Sequence, residues 1–167
     1  MTNKALIAMS GGVDSSVAAF LTKDMGYDAT GITLKLFDNE DIGEKREKTC
    51  CSLDDIDDAR RVCLKLGIPY YVYNFKDSFK ENVIDRFIRA YENGTTPNPC
   101  IDCNRFIKFE KLIRRAEELD FDCVVTGHYS TIEYDKGADR YLLKKSVDST
   151  KAVSYTHLRA HETPEHL

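Results

Sequence analysis

Five apolar residues, Ala5 to Met9, run straight into Ser10-Gly-Gly-Val-Asp-Ser-Ser16, and no other stretch of the chain restricts its fold as much. A short apolar run bounded by glycines reads as a buried strand, and the residues after them read as a helix to about Asp24, stopped by Gly26. Strand, glycine loop and helix form the opening unit of a parallel α/β sheet. The same run is far too short for a membrane span or a signal-peptide core, so neither membrane association nor export is expected.

The alternation then continues. Ala29 to Phe37 reads as a second strand, and the polar residues 38–48 as a surface loop. A second helix is expected from the cap Ser52, with Leu53, Ile56, Ala59, Val62 and Leu66 on one face, ending at Gly67. Ile68 to Phe75 reads as a third strand and Ser78 to Asn93 as a third helix before Gly94. After a proline-rich loop, Thr95 to Cys103, a helix is expected from about Asn104 to Leu119, then a fourth strand from Asp122 to Thr126 ending at Gly127-His128. Thr131 to Tyr134 and Arg140 to Lys144 flank Asp135-Lys-Gly137 as a hairpin. The expected fold is therefore α/β, a doubly wound parallel sheet with helices on both faces, in a single domain over residues 1–150. A chain of 167 residues with 42% hydrophobic and 31% charged residues suits one compact unit and excludes a disordered one. Residues 151–167 hold three of the four histidines and no apolar periodicity, and are expected to lie outside the fold.

Six cysteines in a chain without a secretory signal point to a reducing compartment, the cytoplasm. The net charge of −4 does not advertise a nucleic-acid binder, but the charge is unevenly spread. Residues 38–58 carry nine acidic and three basic side chains, whereas residues 79–115 carry eight basic and five acidic ones. A polyanion would prefer the second stretch; solvated helix faces are the plainer account of both.

In open α/β sheets ligands gather at the carboxyl ends of strands, so Ser10 to Ser16, the segment after Phe37, and Gly127-His128 should converge. At the start of a helix, unpaired amides and the helix dipole favour a phosphate. Gly11 and Gly12 allow close backbone approach, and Ser10, Ser15 and Ser16 add hydroxyls. Asp14 among phosphates calls for a capping role or Mg²⁺. The loop lacks the lysine of a Walker motif and does not match G-x-G-x-x-G, and a tight strand-to-helix turn with ordinary caps is the bland alternative. His128 reads either as a phosphate contact or as a structural hydrogen-bonding group.

Thr96-Pro-Asn-Pro-Cys-Ile-Asp-Cys-Asn104 places two thiols at the start of a helix. The dipole, Arg105 and Lys108 favour a thiolate at Cys103, a competent nucleophile. A zinc site completed by Cys50 and Cys51, an iron–sulfur cluster at Cys100 and Cys103, and inert thiols remain as alternatives. Cys63 and Cys123 fall at apolar positions and are expected in the core.

The Ser-Gly-Gly-x-Asp-Ser string resembles the PP-loop of ATP pyrophosphatases, the adenine nucleotide alpha hydrolase-like group that adenylates carbonyl oxygens. With Thr49-Cys-Cys-Ser52, Asp57-Asp-Ala-Arg60, Leu66-Gly-Ile-Pro69, Gly94 through Asn104, Ile107-Lys-Phe109 and Thr126-Gly-His-Tyr129, the chain resembles tRNA 2-thiouridylases of the MnmA type from residue 4 to about 151. That resemblance implies ATP contacts at Ala8, Met9, Ser10, Gly11, Gly12, Val13, Asp14, Ser15, Leu34 and Gly127, with Mg²⁺, and a target wobble uridine near Asn98, Pro99 and Cys100. It places the nucleophile at Cys103, a tRNA contact at Lys151, and implies a sulfur-donor protein carrying a persulfide as a further partner, with neither DNA nor membrane involved. The family often has aspartate where this chain has Cys100, and its Lys-Asp-Gln string reads Lys151-Ala-Val here. The family's central and C-terminal domains and second cysteine have no counterpart, so the chain is expected to be a fragment, with Ser154 to Thr163 resembling translated adaptor sequence. Another adenylating ligase, or a noncatalytic ATP-binding module, are the competing functions.

Overall fold

The computed structural model describes residues 2–37 and 53–145, and the chain divides into two compact units, Met1–Gly127 and His128–Leu167. In the first unit β1 (Lys4–Ala8), β2 (Asp28–Lys35), β3 (Tyr70–Asn74) and β4 (Cys123–Val125) form a parallel sheet in the order β3-β2-β1-β4. Leu6 of β1 pairs with Thr30 on one side and Val124 on the other. The chain builds outward through β2 and β3, then returns to the opposite side of β1. The crevice between the carboxyl ends of β1 and β4 is therefore the switch point at which such sheets bind ligands.

Successive side chains of a strand point to opposite faces, and both faces here are covered. Leu6 and Ile7 are each wholly buried, but in different clusters. Ile7, Met9 and Ala29 pack with Ala19 of α1 (Val13–Asp24) and with Ala59 and Cys63 of α2 (Leu53–Leu66). Leu6, Ile32, Leu34 and Leu36 pack instead with Val83, Ile107, Leu112 and Ala116 from the later helices. This is the doubly wound α/β arrangement that the alternating pattern predicts.

The third helical run begins two residues before the expected Ser78, where the Asn74 side chain accepts the Lys76 amide at 3.1 Å. It comprises α3 (Lys76–Phe79), a π-helical stretch π1 (Lys80–Ile84) and α4 (Asp85–Glu92). A larger difference concerns the cysteine pair. The loop expected to reach Cys103 gives way at Pro99, where α5 (Pro99–Asp102) starts and continues through π2 (Cys103–Lys111) into α6 (Leu112–Glu118). Asn98 caps it by accepting the Cys100 amide at 3.0 Å, and Pro99 takes the first helical position, where a missing N–H costs nothing. Of the two prolines that suggest a loop, Pro99 starts the helix, and both cysteines are helical.

The second unit contains the expected hairpin, β5 (Ser130–Asp135) antiparallel to β6 (Arg140–Lys145). Asp135 shapes its turn by accepting the Gly137 amide at 2.8 Å. Among the described residues no helix is long and apolar enough to cross a membrane. The expected cap Ser52, the cysteines Cys50 and Cys51, and the expected tRNA contact Lys151 lie outside the described residues.

Candidate active site

The loop after β1 is fixed before the helix begins. Met9 is buried; its amide donates to the Ile32 carbonyl at 2.7 Å and its carbonyl accepts the Thr33 hydroxyl at 2.9 Å. Tyr70 places its hydroxyl 2.7 Å from Thr33 Oγ1 and 3.2 Å from the Ile56 carbonyl, so this polar chain joins β1, β2, β3 and α2 beneath the loop. Nothing in the local sequence pattern announces it.

Gly12 is the N-cap of α1 and supplies no side-chain cap. Its carbonyl accepts the Ser15 hydroxyl at 3.0 Å, the Ser16 hydroxyl at 2.9 Å and the Ser16 amide at 3.2 Å. The expected hydroxyl donors Ser15 and Ser16 are thus engaged within the loop, and Ser15 Oγ also accepts the Ser10 amide at 3.2 Å. The backbone amides ahead of Ser16 belong to the opening turn, the groups a helix N-terminus offers to an anion. Asp14 lies in that first turn, half-buried.

Two backbone walls close the cradle. Gly11 has φ +76°, and a Cβ there would stand 2.6 Å from the Asp55 carbonyl oxygen at the start of α2. Gly127, two residues after the end of β4, would place a Cβ 2.8 Å from the Ser15 amide nitrogen. The carboxyl end of β4 therefore touches the loop through bare backbone, as the switch point requires. Gly12 is different: a Cβ there would meet Ser10 Oγ at an ordinary contact distance of 3.6 Å.

Of the remaining expected contacts, Ala8 ends β1 and is half-buried, Val13 is 77% exposed, and Leu34 has its side chain in the core. His128 opens the second unit and is half-buried. Asn98, Pro99 and Cys100 cluster at the exposed start of α5. Cys103 is half-buried and packs against the core cluster that also receives Ala8. It opens a nine-residue π-helical stretch, a distortion frequent at functional sites. Cys63 is fully buried, and burial pushes its thiol up to about 11. Burial also raises the Cys123 thiol, with Asp122 adding to it. Both are poor nucleophiles by that measure. Among the described residues no three His, Cys, Asp or Glu side chains are grouped to hold a metal ion.

Residues 3–164 match the family model described as the tRNA methyl transferase HUP domain. A protein of Clostridium beijerinckii named tRNA-specific 2-thiouridylase MnmA is 55% identical over 155 residues, covering 93% of this chain and 43% of its own length. The protein of that name from Clostridioides difficile is 54% identical with the same coverage. The chain thus spans less than half the length of these relatives. In fold it is similar to a glutamine-dependent NAD⁺ synthetase from Acinetobacter baumannii solved with adenosine diphosphate, with TM-score 0.51 and 13% identity over 72% of this chain and 21% of that one. An NH₃-dependent NAD synthetase from Campylobacter jejuni, solved with nitrate ion, gives TM-score 0.50 and 18% identity over 74% and 46%. Matched over nearly its whole length, and carrying the glycine cradle at the switch point of its sheet, the chain belongs to the tRNA methyl transferase HUP domain family, alongside relatives named tRNA-specific 2-thiouridylase MnmA.

Proposed function

We propose that this chain is the ATP-pyrophosphatase portion of a tRNA 2-thiouridylase, working in the cytoplasm with residues 1–150 as its functional part. The observation that carries this reading is the cradle of Gly11 and Gly12 walled by Gly127 and Asp55, a backbone-lined anion site at the sheet's switch point. The names of its relatives supply the tRNA substrate.

ATP occupies the loop, with phosphate oxygens on the opening amides of α1 and contacts from Ala8 to Ser15, Leu34 and Gly127. Asp14, the acidic residue of the first turn, would help to hold Mg²⁺, which would offset triphosphate charge. The uridine 2-oxygen bonds to the α-phosphorus, the α–β bridging bond breaks, and pyrophosphate leaves. The donor protein's persulfide passes its outer sulfur to Cys103, freeing the donor thiol; that terminal sulfur attacks C2, the C2–O bond breaks and AMP leaves, and a second thiol then attacks Cys103 Sγ, cleaving the S–S bond to leave 2-thiouridine and a disulfide. Asn98, Pro99 and Cys100 border the target base, and Lys151 contacts the tRNA. Cys100 and Cys103 would supply two thiolates to an iron–sulfur cluster, fewer than such a cluster takes.

The test joins this chain to the remaining length of the C. beijerinckii relative and supplies ATP, Mg²⁺, a persulfide donor, a reducing thiol and unmodified tRNA. Mass spectrometry should find 2-thiouridine, and Cys103→Ala should lower its rate by at least about 10³-fold while calorimetric ATP binding persists. Full activity in Cys103→Ala would reject the nucleophile; no ATP uptake by the unaltered chain would reject the function.

A further inference from the structure

The basic stretch at residues 79–115 separates, once folded, into engaged and unengaged charge. Lys80 lies 3.1 Å from Asp85, Arg86 lies 3.3 Å from Asp102, and Arg115 lies 2.8 Å from Glu118. Arg105 rests its guanidinium on the Phe106 ring, 5.1 Å from the centroid. Lys111 and Arg114 have no ion pair among the described residues.

Those two are not scattered. Lys111, Arg114, Arg115 and Glu118 recur at the spacing of one helix face. With Tyr73 and Asn74 of the edge strand β3 they line a cavity of about 450 Å³, and Arg115 stands over the Tyr73 ring at 5.5 Å. Three cations against one carboxylate make the groove positive in a chain whose net charge is −4. The dipole of a helix C-terminus accounts for Arg115 in the last turn of α6, but not for Lys111 and Arg114 further back.

We propose that the groove between β3 and α6 binds the phosphate backbone of an RNA strand, an inference that rests on the tRNA reading above. Lys111 and Arg114 lie 8 and 11 residues beyond Cys103 along one helical run. That is roughly 10–17 Å, the reach of about three to five nucleotides of a strand whose target base is at the cysteines. Lysine and arginine fix such a strand in register without reading its sequence.

The test is equilibrium binding of a fluorescein-labelled unmodified tRNA transcript to the whole chain between about 50 and 200 mM salt. Lys111→Ala/Arg114→Ala leaves the Arg115–Glu118 pair in place, and should weaken binding about tenfold and flatten the salt slope by about 1.5. Arg60→Ala/Arg61→Ala, on exposed residues of α2, is the control and should change neither. An unchanged slope in the groove variant, an equal loss in the control, or no RNA binding by the unaltered chain would each overturn the proposal. ATP titration of the same samples separates the two readings: ATP bound without RNA sinks the groove alone, and RNA bound through the groove without ATP sinks the cradle alone.

Discussion

The glycine cradle and the cysteine helix are held in place by opposite means. At the cradle, backbone meets backbone: Gly11 against Asp55 and Gly127 against Ser15, with no side chain between. At the cysteines, a side-chain cap from Asn98 sets the helix start, and one face of π2 enters the core through Ile107 while Cys100 stays exposed. A phosphate site profits from the first kind of support, because amides cannot be aimed unless the chain carrying them is fixed. The proposed sulfur-carrying thiol, Cys103, is half-buried by this second kind of support, three residues beyond the exposed Cys100.

The largest effects should follow from filling the cradle. Gly11→Ala combines a positive φ with a clash against backbone, and should cost about 3 kcal/mol in urea unfolding. Gly127→Ala has only the clash, and should weaken ATP binding about thirtyfold by shifting the first turn of α1. Gly12→Ala, with ordinary φ and no clash, should cost well under about 1 kcal/mol of stability. Equal damage at all three positions would show that backbone proximity is not what sets the cradle apart.

A smaller effect is expected at the other region. Asn98→Ala removes the cap of α5 and should cost about 1 kcal/mol, with slower thiolation by the joined protein and unaltered ATP affinity. Asn98→Asp, which keeps an acceptor, should restore most of the stability. Loss of ATP affinity in Asn98→Ala would mean that the two regions are mechanically coupled and the contrast between them is false.

How much of this was legible in the sequence follows from the range of each interaction. The strands, the glycine loop and the hairpin are written in local periodicity and turn residues, and the strands fold within two residues of the expected bounds. The start of α5 departs from the expected loop because Pro97 and Pro99 look like breakers, whereas Asn98 followed by Pro99 is also a cap and first turn. Contacts such as Asp55 on Gly11, or Tyr70 reaching Thr33 and Ile56, join residues far apart in the chain and leave no local trace. A glycine inside a strand was the one available signal of this kind. A Cβ on Gly31 would lie 2.5 Å from Cys63 Sγ, so the glycine marks where α2 presses closely on the sheet.

That contact yields the mildest test of the comparison. Cys63 sits in α2, the helix whose first turn walls the cradle, and the cysteine helix does not touch it through either core cluster. Burial lifts its thiol from 9.0 in the unfolded chain to about 11. The folded form therefore holds this proton more tightly. Its contribution is fully present below pH 9 and is lost as pH rises through about 11. Urea midpoints measured across that window should fall with pH, and Cys63→Ala should flatten this part of the decline while costing stability at neutral pH through the lost packing. If α2 moves first, ATP affinity should fall within the same window before Cys103 becomes more accessible, read by protease cleavage around α5. Simultaneous change in both would mean that the sheet transmits the disturbance across its two faces.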